Sequence, residues 1–311
     1  MNRRFDPRCA FVTTSAMVVL SAGANAQASG SKASAQSDPR WTTIARVFGQ
    51  KGEAHDGYFR VNLPRTDLHV RIGNDALEPA FEFTGYVGFV PVGQTDVLAM
   101  GEIVLRADEV NAVMAELRRE HVSTPALHNH LIGEDPRIMY VHIMARGSAE
   151  SVATRLKAAY AKSATPLSAP TDEPSVGDWS AIDAILGRHS EAEGHVAEYE
   201  FPRNEHLAVG GTAVKSTGML ETGSEVVFQQ LGANRVACGG ELFVLPGEID
   251  AVGRALEEHG LHVTAIHNHV TEGTPHMYWM HWFGTGEGPA LARGVAAALS
   301  HMNGAQKSAG E

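Results

Sequence analysis

Cysteine is nearly missing from this chain: Cys9 and Cys238 are the only two in 311 residues. Cys9 falls in a leading segment that reads as removed on export, which leaves Cys238 alone and excludes an intramolecular disulfide framework. Set in an apolar strand pattern, Cys238 reads as a small buried hydrophobe and not as a reactive thiol. Basic runs are also missing. The net charge is −11 and the pI near 5.8, so nucleic acid is not an expected partner, because phosphate binding needs a positive footprint. No apolar run reaches the roughly 20 residues of a membrane span. Glycine-rich phosphate loops, nucleophile elbows and a His-Glu-x-x-His helix are absent too. The contiguous His-Asn-His found below is unlike the nuclease motif of those letters, whose residues spread over a ββα unit. What remains is a globular composition, 43% apolar and 20% charged, long enough for two domains with separate cores.

The N-terminus has the features of an export signal. Arg3, Arg4 and Arg8 form a basic region, Cys9 to Ala22 a short apolar run, and Ala24-Asn25-Ala26 a small-residue cleavage site. Residues 1–26 are therefore expected to be a signal peptide, with mature protein starting near Gln27 in the periplasm or outside the cell. No cysteine follows the apolar run, so no lipid anchor is expected. Residues 27–40 are small and polar, a flexible lead-in.

Beyond that the chain repeats itself. Trp41-Thr42-Thr43-Ile44 with Gly49 returns as Trp179-Ser180-Ala181-Ile182 with Gly187, and Leu63-Pro64-Arg65 returns as Phe201-Pro202-Arg203, both at an offset of 138. From Phe89 and Phe228 onward the offset is 139. The expected organisation is a first repeat over 41–165, a proline-bearing linker over 166–178, a second repeat over 179–303, and a tail over 304–311. Arg65 and Arg203 read as strand-end charges or as anion binders.

Within each repeat the periodicity gives the same reading. Alternating apolar residues predict strands around 61–63, 68–71, 81–90 and 97–105, with a turn at Gly93-Gln94. Val110, Val113, Met114 and Leu117 recur at helical spacing over 107–119. Strands over 124–132 and 138–145 follow, and Ser148 caps a helix through Tyr160. The second repeat carries its helix over 248–259 and its hairpin over 263–283. Strand–helix–strand–strand–helix is the order of ferredoxin-like units. The expected class is α+β: two tandem ferredoxin-like sandwich repeats with antiparallel sheets.

One stretch organises both repeats. Ala126-Leu127-His128-Asn129-His130 returns as Ala265-Ile266-His267-Asn268-His269. A third histidine lies twelve residues past each, His142 and His281, and a glutamate 26 residues before each first histidine, Glu102 and Glu241. Alternation along strands puts Glu102, His128, His130 and His142 on the face away from the helices, with Leu127, Asn129 and Leu131 on the helix face. Large residues share the non-helix faces, Tyr140 and Met144 in one repeat, Trp279 and Phe283 in the other, so each face is expected to cover the other. The competing reading is a set of structural histidines. Over 101–147 against 240–286 only 13 of 47 pairs are identical, yet all three histidines and the glutamate are among them. His121, His259, His262 and His276 find no histidine opposite, so retention is selective. That favours a metal site in each repeat.

Three imidazoles and a carboxylate suit a divalent transition ion. Zinc fits best, with bonds of about 2.0–2.1 Å to nitrogen, while manganese, iron, nickel and copper compete. The candidate ligands are His128, His130, His142 and Glu102, then His267, His269, His281 and Glu241. Glu102 and Glu241 are also the candidate catalytic residues, each a fourth ligand or a general base for a metal-bound water. Two functions follow: a metal-dependent hydrolase or lyase acting on a small molecule, or a metal- or ligand-binding protein without turnover. Because histidine ligates when neutral, metal is expected to be lost as pH falls through roughly 6.5 toward 5.

On Gly-Glu, His-Asn-His and the later histidine, present in both repeats, the chain resembles the LppY/LpqO family of exported bacterial proteins, built around a domain of unknown function. The resemblance implies this fold and an exported location, and no established activity. Those lipoproteins carry a lipidated cysteine after the signal; here Gly23 is followed by Ala24, a departure that implies an unanchored chain.

Overall fold

The computed structural model describes residues 38–168, 173–220 and 222–303. The proposed signal peptide, most of the lead-in and the tail lie outside them. The first repeat opens with helix α1 (Pro39–Phe48), two residues ahead of its expected start at Trp41. The Asp38 carboxylate accepts from the Arg40 backbone amide at 2.9 Å, and Pro39 suits the first helical turn. Then come β1 (Glu53–His55), β2 (Tyr58–Pro64), β3 (Val70–Ile72), β4 (Asp75–Leu77), β5 (Thr84–Val92) and β6 (Asp96–Arg106). Helix α2 (Val110–Arg119), β7 (Leu127–His128), β8 (Glu134–Asp135), β9 (Ile138–Ser148) and α3 (Ala149–Tyr160) complete it. The Ser148 hydroxyl caps α3 by accepting from the Ser151 amide at 3.4 Å.

The second repeat runs α4 (Ser180–Leu186), β10 (Glu191–Glu193), β11 (Val196–Phe201), β12 (Leu207–Val209), β13 (Thr212–Val214), β14 (Ser224–Gly232) and β15 (Arg235–Val244). It ends with α5 (Ile249–Glu257), β16 (His262–His267), β17 (Gly273–Thr274), β18 (Tyr278–Gly286) and α6 (Gly288–Leu299). Each repeat builds a six-stranded antiparallel sheet, in the orders β1-β2-β5-β6-β9-β7 and β10-β11-β14-β15-β18-β16. The expected α+β class and the tandem duplication are both present. Each repeat adds a small sheet, β4-β3-β8 or β13-β12-β17, so residues 68–71 belong to a separate layer and not to the main sheet. Among the described residues no helix is long and apolar enough to cross a membrane.

The helices of each repeat cover one sheet face. Ile44, Phe48, Val113, Leu117, Val152 and Leu156 meet Val61, Val87, Ile103 and Val141 in the first helix-side core, and the second repeat has a matching core. The opposite faces meet each other. One buried cluster joins Phe81, Phe83 and Tyr140 to Val196, Val227 and Ala237; another joins Tyr58, Leu98 and Met100 to Leu207, Phe243 and Trp279. The order from one surface to the other is helices, sheet, sheet, helices. A buried aromatic removes about 150–250 Å² from water, and at about 25 cal/mol per Å² Tyr140 and Trp279 each favour that face-to-face arrangement by several kcal/mol.

Alternation fails at one place. The strand expected over 124–132 is regular only at Leu127–His128, and the chain then turns away. Leu127 and its counterpart Ile266 end up 44% and 46% exposed, because they lie on the edge strand beyond the helices. Leu131 is buried between the sheets and not under the helices. Cys238 is fully buried, and burial pushes its thiol pKa up, as its apolar setting implied.

Arg65 and Arg203 are buried clamps. Arg65 donates to Glu109, Asp67 and the Val104 carbonyl at 2.7–2.9 Å; Arg203 donates to Glu248, Glu205 and the Phe243 carbonyl at 2.8–2.9 Å. Each pins its sheet to the start of α2 or α5. Replacing Arg65 by Ala removes the charge partner of the buried Glu109 carboxylate, which keeps only the Arg106 and Ala164 backbone amides as donors. Stability should drop by about 3 kcal/mol and the midpoint of urea unfolding should fall; an unchanged midpoint would refute the clamp.

Candidate metal centre

Register sets the site. Glu102 on β6 lies directly opposite His142 on β9, and Glu241 on β15 opposite His281 on β18. His128 lies opposite Tyr140, and His267 opposite Trp279. The glycine before each glutamate is required by close approach: a Cβ on Gly101 or Gly240 would collide with the carbonyl oxygen of Tyr86 or Glu225 on the neighbouring strand. His130 and His269 follow in the loops, where ring stacking places them. His130 lies 3.4 Å from Tyr140 at 2° between planes, and His269 lies 3.9 Å from Trp279 at 9°.

All eight residues expected as ligands come together, but as one cluster and not as two separate sites. Packing the sheets face to face stacks rings of one repeat on rings of the other: His128 on His267 at 3.5 Å, His130 on His281 at 3.8 Å, and His142 with His269 at 3.8 Å. Exchanging the repeats maps these pairs onto one another, so a local two-fold axis passes between His128 and His267. The asparagines obey it as well. Asn129 Nδ2 donates to Leu131 O and to Thr264 O across the axis; Asn268 Nδ2 donates to Val270 O and to Pro125 O. They tie the loops down toward the other repeat and not toward the helices, where alternation puts Asn129, since the strand has already ended.

Four groups place their donor atoms within 4.8 Å of one another: Glu102, His128 and His142; Glu241, His269 and His281; His128, His130, His267 and His281; and His142, His267 and His269. The last two draw on both repeats. From Glu102 Oε2 the Nε2 atoms of His130, His142 and His128 lie at 3.1, 3.4 and 3.8 Å. Tetrahedral ligands at about 2.0–2.1 Å from an ion stand about 3.3–3.4 Å apart, so His142 and His128 suit a cation shared with Glu102, while His130 is not part of that group. From Glu241 Oε2 the Nε2 atoms of His269 and His281 lie at 3.3 and 3.8 Å.

The donor set fits an ion on a second count. Nε2 of His128, Nε2 of His267 and both ring nitrogens of His281 are buried and make no hydrogen bond among the described residues. Each such atom costs about 1–3 kcal/mol unless something engages it. Their lone pairs are available, too. Burial, then the neighbouring imidazoles, hold His128, His267 and His269 well below the usual histidine range, and burial brings His281 down to about 4. His130 runs the other way: burial alone would lower it, but Glu102 and Glu82 together raise it to about 9.

Glu82 is the site residue that sequence periodicity missed. It lies in the turn before β5 at φ 64°, and its Oε2 accepts from His130 Nδ1 at 3.0 Å. Burial opposes its charge, yet the bond from His130 and the His281 ring, whose Nδ1 lies 3.7 Å away, bring it down to about 2. A carboxylate on the far nitrogen fixes ring orientation, as outer partners of metal-bound histidines do. The signal was present in the repeat: Glu221, outside the described residues, stands 139 positions on.

Comparison with known proteins adds kinship without activity. A family described as a domain of unknown function, DUF1259, matches twice, over residues 42–162 and 180–301. The chain belongs to that family. No curated protein matches. Among solved structures the chain is similar to the trimeric bacterial microcompartment shell protein PduB, at 11% identity over 79% of this chain and 86% of that one, with a TM-score of 0.19. It is also similar to the fused permuted hexameric shell protein MSM0275 of the RMM microcompartment, at 10% identity over 68% and 86%, with a TM-score of 0.17. Neither likeness bears on the site of this family member.

The buried imidazoles move the expected pH dependence. Between pH 6.5 and about 4 the unfolded chain binds protons that His281 in the folded chain refuses, so stability of metal-free protein falls as pH falls. His130 contributes stability that is complete below 6.5 and lost as pH rises through about 9. Melting temperature of chelated protein is therefore expected to peak at about pH 6.5–7. Metal should persist to a lower pH than the window of roughly 6.5 to 5 taken from unperturbed histidine. A melting curve flat from pH 4 to 9 would contradict the burial of these rings.

Proposed function

We propose that the chain is an exported protein of the LppY/LpqO type that holds divalent metal, zinc by preference, on the paired Glu/His sets, and that it works there as a metal-dependent hydrolase or lyase. One observation carries the catalytic reading. A cavity of about 660 Å³ runs in to Glu102, His130, Glu241 and His281, so the donor groups open onto space for a small molecule. A bound ion would supply a Lewis acid and an activated water there. Glu102 and Glu241 are the residues to ligate or to accept the water's proton, and Glu82 holds His130 in orientation. A binding role without turnover has its own support: His128, His130, His267 and His281 place four imidazole nitrogens within 4.8 Å of one another, the donor count of a closed four-ligand shell. Export follows from the basic, apolar and small-residue order at the N-terminus, and is checked by the mass of protein recovered outside the cytoplasm, expected to begin near Gln27 without an acyl group.

Metal content of protein purified without added metal tests the centre. Stoichiometric zinc, or one of its competitors, is expected, and none at all would end this reading. Because two donor groups span the repeats, replacing His128 and His130 together by Ala should remove more than half of the bound metal. Loss of half, with the remainder bound as tightly as before, would show that each repeat works alone.

A further inference from the structure

The two-fold relation breaks on one side of the cluster. Register and offset pair Arg60 with Glu198, Asn62 with Glu200, and Tyr86 with Glu225. In the first repeat the Arg60 guanidinium lies 3.7 Å over the Tyr86 ring and donates to Asn62 Oδ1 at 2.5 Å. In the second repeat three carboxylates hold those places, with Glu200, Glu225 and Glu241 in one row across adjacent strands. Like charges directly opposite on paired strands destabilise a sheet.

This acidic side faces the 660 Å³ cavity, whose walls include ten glutamates against a single guanidinium, Arg60. At its inner end the Glu82 side chain is 7% exposed. Its Oε2 is taken by His130, while Oε1 is buried and has no hydrogen-bond partner among the described residues. A buried carboxylate oxygen in that state asks for a donor. Burial and the neighbouring carboxylates also hold Glu198 up, at about 7. Glu198 and Glu225 are half-buried beside Glu82, and Glu173 and Glu191 are exposed nearer solvent. The same cavity is also lined by apolar residues, Pro79, Ala80, Ala192 and Val196.

We propose that this cavity binds an aliphatic polyamine, one ammonium group against Glu82, Glu198 and Glu225, another against the outer glutamates, and the methylene chain along the apolar wall. The volume falls within the roughly 300–1,000 Å³ of small-molecule sites. A hydrated inorganic ion would leave the apolar wall and most of that space without a role. Glu198 and Glu225 belong to none of the donor groups of the histidine cluster, and Glu82 touches it only through His130. The cavity is the one offered above as substrate space, but amine binding by its carboxylates does not require the metal.

Titration calorimetry of the mature chain at physiological ionic strength tests it, with spermidine, putrescine, butane-1,4-diol and magnesium chloride as probes, in metal-loaded and chelated protein. Saturable one-to-one binding of spermidine is expected, weaker binding of putrescine, and none of the diol. The double variant Glu198→Gln, Glu225→Gln should weaken spermidine by about tenfold or more, and its melting temperature should not fall, since repulsion is relieved. Ala192→Lys, which places a tethered ammonium in the cavity and keeps every carboxylate, should abolish binding independently. Absence of saturable spermidine binding overturns the proposal, as does equal binding by both variants, which would mean that amines coat the acidic surface. Magnesium saturation dependent on Glu198 and Glu225, without amine binding, also overturns it and assigns the cavity to an inorganic cation.

Discussion

Stacking of imidazole on imidazole across the two sheets is the contact on which the rest of this structure turns. His128 on His267, His130 on His281 and His142 with His269 lie 3.5–3.8 Å apart in a buried interface. Such stacking is tolerable only if most rings are uncharged, because protonated rings so close would repel in a low dielectric. Burial supplies that condition, and the face-to-face sheets supply burial. The carboxylates then have a definite place. Glu102 and Glu82 allow one ring, His130, to carry charge while burial keeps His128, His267, His269 and His281 neutral.

Much of this was legible in the chain. Period-two alternation on 97–105 and 138–145 named the faces of β6 and β9, and register then set Glu102 beside His142. The repeat supplied the second copy without further argument. Other features depended on geometry that periodicity does not carry. Leu131 is assigned to the helix face by extending a strand past His128, where the chain in fact turns off the sheet, and Leu127 by supposing that the helices reach the edge strand, which they do not. Fusion of the two sets was not legible either. Sequence spacing fixes neighbours within a sheet, whereas the contact between sheets depends on which side chains interdigitate. Glu82 escaped for a related reason: it belongs to a turn with positive φ, outside any periodic element.

Duplication explains what is symmetric and what is not. The Arg65–Glu109 and Arg203–Glu248 clamps recur because each repeat must anchor its own helix layer to its own sheet, a constraint internal to the repeat. The histidines recur because each ring packs against the other repeat. A change in one would leave a partner in the other without its stack. No such coupling protects the positions flanking the cluster. Arg60, Asn62 and Tyr86 face cavity where Glu198, Glu200 and Glu225 stand in the second repeat, so the two halves were free to diverge there.

That divergence places specificity on one side of a symmetric centre. A donor set repeated about an axis offers the same chemistry in both directions, and by itself gives no preference for how a small molecule should approach. The 660 Å³ cavity meets the cluster at Glu102, His130, Glu241 and His281, one acid and one ring from each repeat. Its remaining walls join Arg60 and Tyr86 of the first repeat to Glu198 and Glu225 of the second. A molecule there would meet equivalent glutamates at the centre, with the non-equivalent rings of His130 and His281 beside them and unlike groups along the other walls. Orientation would therefore come from these unlike groups, since only Glu102 and Glu241 look the same from both repeats.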